Sequence, residues 1–200
     1  MNTKIGVILG TSRHPSLGSH LLRYLQRTFP DSVDVTYTWL PLRDYPLPFY
    51  DHQETPLETP IHDLSTPEQA WLDQLAAQDG YIILSPEYNH AIPGILKNAL
   101  DFVGPEVDHK PVQIITYSHF SDGGMLAAES MVEILQMLKL LVLPTPVLLW
   151  NADDNFTAQG ELIATAPNSA HFARRLQEAF ADITFYSRLL ATHPYRPLSK

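Results

Sequence analysis

Apolar and polar positions change their period several times along this chain. Residues 4–10 form a short, almost wholly apolar run that ends in glycine, which is typical of a parallel strand covered on both faces. After Ser16, apolar residues recur at the spacing of a helix with one buried stripe, namely at Leu17, Leu21, Tyr24, Leu25 and Phe29. The chain therefore opens with a predicted strand, loop and helix.

Further strands and helices alternate toward the carboxyl end. A period of two predicts an edge strand through Val33, Val35, Tyr37 and Trp39. Ser65, Pro67 and Glu68 have the spacing of a capped helix start, and that helix is expected to reach about residue 78. Strands are then predicted over residues 81–85, 112–117 and 146–150, and helices over 93–103, 125–140 and 167–190.

Five strands that alternate with helices predict one α/β domain over residues 1–200. Such a chain forms a doubly wound, three-layer sandwich, with a five-stranded parallel sheet in the order 2-1-3-4-5 and helices on both faces. In this order, ligands bind at the carboxyl ends of strands one and three. The loops that follow Gly10, Ser85 and Tyr117 are therefore the candidates for a binding site.

Composition narrows the chemistry that these loops can support. The 200 residues contain no cysteine, which excludes disulfides, thiolate nucleophiles, iron–sulfur clusters and cysteine zinc sites, so any electron transfer must use a bound group. The net charge of -9, with no basic block, argues against nucleic acid and anionic membranes as partners and leaves a small molecule or a protein. The nine histidines lack HxxxH or HExxH spacing, so no metal site is expected.

No segment of the sequence predicts export or a membrane anchor. The apolar run of residues 4–10 is too short for a signal-peptide core. Residues 131–150 are the most apolar window, but Glu133, Lys139 and two prolines interrupt it, so we interpret it as a buried helix followed by a strand. A cytoplasmic location is therefore expected.

Residues 41–60 break the alternation of strands and helices. They hold five of the 17 prolines together with Asp44, Asp51 and Glu54, and they show no periodicity. Loops of this length in a compact domain are usually functional or packed on a partner. We interpret the segment as the rim of an active site or as part of a subunit interface, and a passive surface crossover is the alternative.

The first candidate loop has the composition of a phosphate site. Residues 10–19 are rich in hydroxyl groups, contain Arg13 and lead directly into a helix. Free backbone N–H groups at a helix start and a guanidinium both favour an anion. The loop lacks the lysine of a P-loop and the spaced glycines of a dinucleotide fingerprint, so a phosphate monoester is favoured. The alternative is that Ser16 only caps the helix and Arg13 is a solvated charge.

The second loop carries the most specific motif of the chain. Residues 85–102 read SPEYNHAIPGILKNALDF, a run that resembles the signature of the NAD(P)H-dependent FMN reductases, a flavodoxin-like family that includes quinone, azo-dye and metal-oxyanion reductases. The first loop also follows the family pattern at Gly10, Thr11, Arg13 and Ser16. It departs at Gly18, where the family usually has asparagine. This change affects one side-chain contact to the phosphate and leaves the backbone contacts intact.

The resemblance implies a flavodoxin-like fold with bound FMN. By resemblance, the FMN phosphate is held by Thr11, Arg13, Ser16 and the amides of Leu17, Gly18 and Ser19. The residues that border the isoalloxazine ring are then Pro86, Glu87, Tyr88 and Asn89. In the third loop the matching residues are Ser118, Gly123 and Gly124. Two further residues of that loop either shape the nicotinamide or acceptor pocket or are ordinary loop residues, His119 and Phe120.

The resemblance also implies a function. In such an enzyme NAD(P)H passes a hydride to bound FMN, and the reduced flavin then reduces a free flavin, a quinone, an azo compound or a metal oxyanion, with no covalent role for a side chain. An FMN-binding electron carrier without a nicotinamide site is the alternative. A homodimer or homotetramer is expected, and the apolar material available for subunit contacts is Trp71, Phe102, Tyr186 and residues 45–50.

Overall fold

A parallel sheet forms the centre of the computed structural model, which describes residues 2–196. Its strands are β1 (Thr3–Leu9), β2 (Val35–Pro41), β3 (Gly80–Pro86), β4 (Pro111–Tyr117), β5 (Leu141–Val142) and β6 (Val147–Leu149). Their order is β2-β1-β3-β4-β5, with β6 also paired to β4, and every pairing is parallel. The predicted doubly wound order is therefore confirmed.

Helices follow the strands as the periodicity predicts, and one short helix over residues 152–155 was not predicted. They are α1 (Leu17–Thr28), α2 (Thr66–Ala76), α3 (Gly94–Asp101), α4 (Met125–Met137), the short α5 (Ala152–Asn155) and α6 (Ser169–Thr192), with 3-10 turns at Leu42–Asp44 and Pro105–Val107. Across residues 2–196, none of these helices has both the length and the apolar character that crossing a membrane requires.

Successive residues of the central strands belong to two different cores, because side chains alternate across a strand. Ile83 of β3 and Ile114 of β4 pack with Trp71 of α2 on one face of the sheet. Ile82 and Ile115 pack with residues of α1 and α6 on the other face. The central strands are therefore covered on both sides, which is why their sequences are apolar without interruption.

The fifth position of the sheet differs from the predicted single strand over residues 146–150. Two short strands, β5 and β6, pair with the beginning and the end of β4. Between them, Pro144 and Pro146 lack the N–H group that a ladder needs, and Thr145 has a positive φ of 59°. The second strand also starts later than predicted, since Val33 is 90% exposed and lies before β2.

Two aromatic residues that the sequence offered for subunit contacts, Trp71 and Phe102, lie in the core of the protein instead. Trp71 and Phe102 are both 0% exposed and belong to the same core. The Trp71 indole N–H donates to the carbonyl of Ala99 in α3 at 2.9 Å. Among the residues offered for subunit contacts, Tyr186 of α6 and Phe49 are accessible at the surface.

The proline-rich segment is anchored to α2 and α3. Asn98 of α3 accepts the N–H of Tyr50 through Oδ1 at 2.9 Å and donates through Nδ2 to the carbonyl of Pro48 at 2.7 Å. His52 contacts the carboxylate of Glu68 in α2 at 3.2 Å. The side chains of Asn98 in α3 and Glu68 in α2 therefore fix the course of this segment.

Glu68 serves both as a helix cap and as part of that anchor. Its carboxylate accepts the backbone N–H of Ser65, so the predicted capping box at the start of α2 is confirmed. Burial alone would raise the pKa of the Glu68 carboxyl, but hydrogen bonds from Ser65 and His52 outweigh burial and hold the pKa below its ordinary value. The ionised carboxylate therefore stabilises the folded state.

We expect Glu68→Gln to lower the free energy of unfolding at neutral pH and to have less effect in acid. A carboxyl whose pKa is depressed by folding adds stability above its unfolded pKa of about 4.3, and this contribution is lost as pH falls through the lower folded pKa. Urea unfolding of wild type and variant at a series of pH values from about 7 to 3 measures the difference.

The difference in unfolding free energy between wild type and Glu68→Gln should narrow steadily as the pH falls. Glu58→Gln, at an exposed position of the proline-rich segment that precedes α2, is the control and should match the wild type throughout. A gap for Glu68→Gln that stays constant with pH would contradict an ionised cap.

Candidate functional site

A crevice lies at the carboxyl ends of β1, β3 and β4, where the strand order predicts a binding site. All three candidate loops contribute to its lining, which consists of Arg13, Ser16, Leu17, Gly18, Pro86, Glu87, Tyr88, Tyr117, Ser118, His119 and Phe120. Most of the site residues predicted from the sequence are in this set. The predicted residues outside it are Thr11, Ser19, Asn89, Gly123 and Gly124.

The first turn of α1 opens into the crevice with free backbone donors. Ser16 caps the helix, since its Oγ accepts the N–H of Ser19 at 3.1 Å and the Ser19 hydroxyl donates to the Ser16 carbonyl at 2.7 Å. Both hydroxyls therefore serve the helix itself, as the capping alternative expects. The N–H groups of Leu17 and Gly18 have no partner within residues 2–196, and no acidic residue lies in this turn. The turn is therefore suited to an anion.

Arg13 supplies the cationic group of the crevice. Its guanidinium carbon lies 6.0 Å from the centre of the Tyr88 ring, and its backbone N–H donates to Thr11 Oγ1 at 3.3 Å. The Thr11 hydroxyl also contacts the Tyr88 hydroxyl at 2.9 Å. Because Thr11 is buried, it links the first loop to the second and does not line the crevice.

The second loop forms a two-residue turn just beyond the end of β3. Tyr88 and Ala91 exchange backbone hydrogen bonds of 2.9 and 3.1 Å. Asn89 and His90 between them have positive φ values of 51° and 64°, which a two-residue turn of this kind requires. Asn89 is therefore exposed at the tip of the turn, while Tyr88 faces the crevice.

Glu87 ties the second loop to α4 and to the third loop. Its Oε2 accepts the N–H of Ala127 in the first turn of α4 at 3.1 Å, and a negative charge is favourable at a helix start. Its backbone N–H donates to the carbonyl of Tyr117 at 3.3 Å. These contacts hold the two loops on a rigid support.

The third loop is ordered by Ser118 and Asp122. The Ser118 hydroxyl lies 2.7 Å from Asp122 Oδ1, which also accepts the N–H of Gly124 at 3.2 Å, and these hydrogen bonds lower the pKa of the Asp122 carboxyl. Gly123 and Gly124 have positive φ values of 64° and 81°. A Cβ on Gly123 would meet Leu148 Cβ at 2.9 Å, so both glycines allow α4 to begin close to the sheet.

Tyr117 is the crevice residue that the sequence reasoning missed. It ends β4, and a Cβ built on Gly18 would overlap its hydroxyl, so the phenol lies over the first turn of α1. The available signal was its place as the last residue of a strand that ends at the binding edge. The predicted strand over residues 112–117 includes it, and the predicted site residues of the third loop lie beyond it.

His119 and Phe120 both line the crevice, which favours a role in shaping the pocket over an ordinary loop position. His119 Nδ1 lies 3.0 Å from Oδ2 of Asp153, a residue of α5. Phe120 is 76% exposed. The rim of the crevice therefore carries one oriented imidazole and one accessible apolar ring.

A larger cavity, of about 710 Å³, lies at the opposite edge of the sheet, near the amino ends of β3 and β4. Its charged groups are engaged within the chain. Asp108 pairs with Lys139 at 3.2 Å, and Lys110 Nζ donates to the carbonyls of Leu75 and Ala76. Doubly wound sheets bind ligands at the carboxyl ends of their strands, so the crevice is the candidate site.

The donor set of the crevice fits a phosphorylated, planar ligand. The free N–H groups of Leu17 and Gly18 and the Arg13 guanidinium supply donors for an anion, and the guanidinium carbon lies 6.0 Å from the centre of the Tyr88 ring. Pro86 and Tyr88 supply apolar and aromatic surface in the same crevice, on a loop fixed by hydrogen bonds. Fold and crevice together define the class, a flavodoxin-like protein that binds a flavin nucleotide.

Comparisons with known proteins agree with this class. The family described as NADPH-dependent FMN reductase matches residues 3–154. The NAD(P)H-dependent FMN reductase ntnL of Nectria sp is 34% identical over 184 residues, which cover 90% of this chain and 88% of that relative. The quinone reductase of Escherichia coli strain K12 is 32% identical over 153 residues, which cover 73% of this chain and 77% of that relative.

Among solved structures, the flavoenzyme NAD(P)H:(acceptor) oxidoreductase FerB from Paracoccus denitrificans matches with a TM-score of 0.73 at 22% identity, over 93% of this chain and 97% of that one. This likeness concerns the fold. Because the family match covers most of the chain, the chain belongs to the NADPH-dependent FMN reductase family. It is a flavin-dependent oxidoreductase that uses FMN and NAD(P)H, and the resemblance seen in the sequence is confirmed.

Proposed function

We propose that the crevice holds FMN and that the enzyme, as one cytoplasmic domain over residues 1–200, reduces flat conjugated acceptors such as quinones with NAD(P)H. The observation that carries this proposal is the crevice itself, which is lined both by donors for an anion and by aromatic surface. Phe120 adds an accessible apolar ring at the rim, suited to stacking on a flat acceptor. A relative named quinone reductase supports the same acceptor class.

In this proposal the FMN phosphate lies at the start of α1. Arg13 binds it through charge-assisted hydrogen bonds, and the N–H groups of Leu17 and Gly18 donate to it. Ser16 and Ser19 act by shaping this turn, because their side chains are bonded to the helix start. Thr11 contributes from beneath, through its contact with the second loop.

The isoalloxazine ring lies between the second and third loops in this proposal. The residues of its border are Pro86, Glu87, Tyr88, Asn89, Ser118, Gly123 and Gly124. Glu87 positions the second loop through α4, and the two glycines position the third loop close to the sheet. When bound, FMN accepts a hydride from NAD(P)H and delivers the electrons to the second substrate. The side chains bind, orient and screen the reacting groups from water, with no covalent role.

We expect steady-state kinetics with NADPH and a quinone to follow a ping-pong pattern. A single crevice admits the two substrates in turn, so the oxidised nicotinamide must leave before the quinone binds. Initial rates at several fixed quinone concentrations should give parallel double-reciprocal lines. Intersecting lines, together with no reduction of the enzyme by NADPH alone, would contradict a shared crevice.

We further propose that the enzyme is a homodimer or homotetramer that associates through a groove between α3 and α4. The groove, of about 380 Å³, is lined by apolar side chains that include Leu100 and Ile134, and Met137 at its edge is 69% exposed. Lys97 and Glu133 also line it. A surface that carries both charge signs around an apolar centre can pair with a second copy of itself across a two-fold axis.

Met137→Glu is expected to shift the enzyme toward the monomer, because it places a charge on the apolar surface of that contact. Light scattering after size-exclusion chromatography measures the mass. Phe185→Glu, at an exposed position on α6, is the control and should leave the mass of the oligomer unchanged. A wild-type protein that is monomeric, or a Met137→Glu variant with the wild-type mass, would contradict this surface.

A further inference from the structure

Tyr117 presents an unused hydroxyl to the crevice. The residue is 4% exposed and lines the crevice, and within residues 2–196 its hydroxyl forms no hydrogen bond with the chain. The hydroxyl is open to the crevice, because the fully buried side-chain atoms that lack a partner within residues 2–196 are Gln78 Oε1, Asp108 Oδ1, Asn155 Oδ1 and Ser187 Oγ. A phenol keeps its proton at neutral pH, and burial raises the pKa of the Tyr117 phenol further, so the hydroxyl can donate. A donor without an acceptor in the chain therefore faces the proposed cofactor site.

The position of this hydroxyl points to the anion end of the crevice. A Cβ on Gly18 would overlap the Tyr117 hydroxyl and would approach Leu9 Cδ1 to 3.0 Å, so only glycine leaves room for the phenol. Gly18 and Leu17 carry the free N–H groups of the first turn of α1. The phenol therefore lies next to the same two donors that the proposed function assigns to phosphate.

We infer that the Tyr117 hydroxyl is a ligand of the FMN phosphate and occupies the space that a side chain at position 18 would otherwise fill. The inference rests on the proposed binding of FMN in the crevice. A phosphate monoester has three terminal oxygens, each of which accepts more than one hydrogen bond, so Arg13 and the two free N–H groups of the turn leave room for a further donor. The glycine at position 18, where the family pattern has asparagine, leaves the space that this contact needs. The Tyr117 hydroxyl then takes the place of the asparagine side chain as a phosphate ligand.

Tyr117→Phe isolates the hydroxyl, because it removes one oxygen and keeps the ring that fills the core. We expect FMN to bind about 10-fold more weakly to the variant, since one hydrogen bond to a charged group is lost. Riboflavin lacks the phosphate, so its affinity should stay within about 2-fold of wild type. Quenching of flavin fluorescence on titration of the FMN-free protein measures both dissociation constants.

Two further variants control this experiment. Tyr81→Phe removes the hydroxyl of another buried tyrosine, which donates to the carbonyl of Leu75 away from the crevice. This variant should bind both flavins as the wild type does. Gly18→Ala tests the close approach without any ligand. It should lower the thermal unfolding temperature more in the wild type than in the Tyr117→Phe background, because the clash is with the hydroxyl.

A selective loss of FMN affinity in Tyr117→Phe supports the inference. Equal losses for FMN and riboflavin would assign the hydroxyl to the ring and overturn it, and unchanged FMN affinity would overturn it as well. If wild-type protein bound neither flavin, the proposed function itself would fail along with the inference. If wild type binds FMN normally and only the variant result is negative, the proposed function stands and the inference alone is rejected.

Discussion

Arg13→Ala should weaken the binding of FMN by about 10- to 150-fold, because a charge-assisted hydrogen bond to phosphate contributes about 1.5–3 kcal/mol. Arg13 is the one arginine in the crevice lining, and its guanidinium carbon lies 6.0 Å from the centre of the Tyr88 ring. The free N–H groups of the first turn of α1 remain in the variant, so binding is weakened and not abolished. Titration of the FMN-free protein with FMN, followed by flavin fluorescence, gives the two dissociation constants.

The control for this variant is Arg27→Ala, in the last turn of the same helix. It removes an equal charge from the far end of α1 and should leave the affinity for FMN unchanged. Riboflavin affinity should be the same in wild type and in Arg13→Ala, because the contact is to the phosphate. An FMN affinity equal to that of wild type would identify Arg13 as a solvated surface charge.

Trp71→Ala is expected to cost about 3–5 kcal/mol of unfolding free energy, the range for truncating a large aromatic residue in a core. Trp71 is 0% exposed, packs edge-on against Tyr45 with ring centroids 5.2 Å apart, and donates to the carbonyl of Ala99. The substitution therefore opens a cavity and leaves a buried carbonyl without its donor. Urea unfolding at neutral pH measures the loss.

Trp39→Ala is the matched control, because Trp39 lies half-buried on the edge strand β2. Its loss of unfolding free energy should be clearly smaller. Trp71→Phe keeps most of the packing, so its unfolding free energy should fall between those of wild type and Trp71→Ala. This variant also provides a measurement if the alanine variant does not fold. Equal losses for Trp71→Ala and Trp39→Ala would contradict the central place of Trp71 in the core.

The order of elements was predictable because burial on both faces leaves a clear trace in the sequence. Ile82 and Ile83 face opposite cores, so β3 reads as a continuous apolar run that only a covered parallel strand tolerates. The break between β5 and β6 was not predicted. The stretch around Pro144 and Pro146 is as apolar as a strand. Only the pairing of β5 and β6 with β4 shows where the sheet is interrupted between them.

The candidate site was predictable as far as single loops carry motifs. Arg13 and Tyr88 were found in this way, and both line the crevice. Sequence could not show that the Ser19 hydroxyl is used by the helix start, since that depends on the local geometry of the cap. It also could not show that Tyr117 meets Gly18, because these residues lie on elements that only the folded sheet brings together.

Anaerobic titration with NADPH and then NADH, followed by the visible absorption of the FMN-loaded protein, tests the central claim most directly. A flavin-dependent NAD(P)H oxidoreductase predicts that the nicotinamide bleaches the flavin absorption and that a quinone restores it. Dithionite serves as the control for a reducible flavin. Absorption that dithionite bleaches but neither nicotinamide changes would contradict the account and identify an electron carrier, and a protein that stays colourless after incubation with FMN would contradict both.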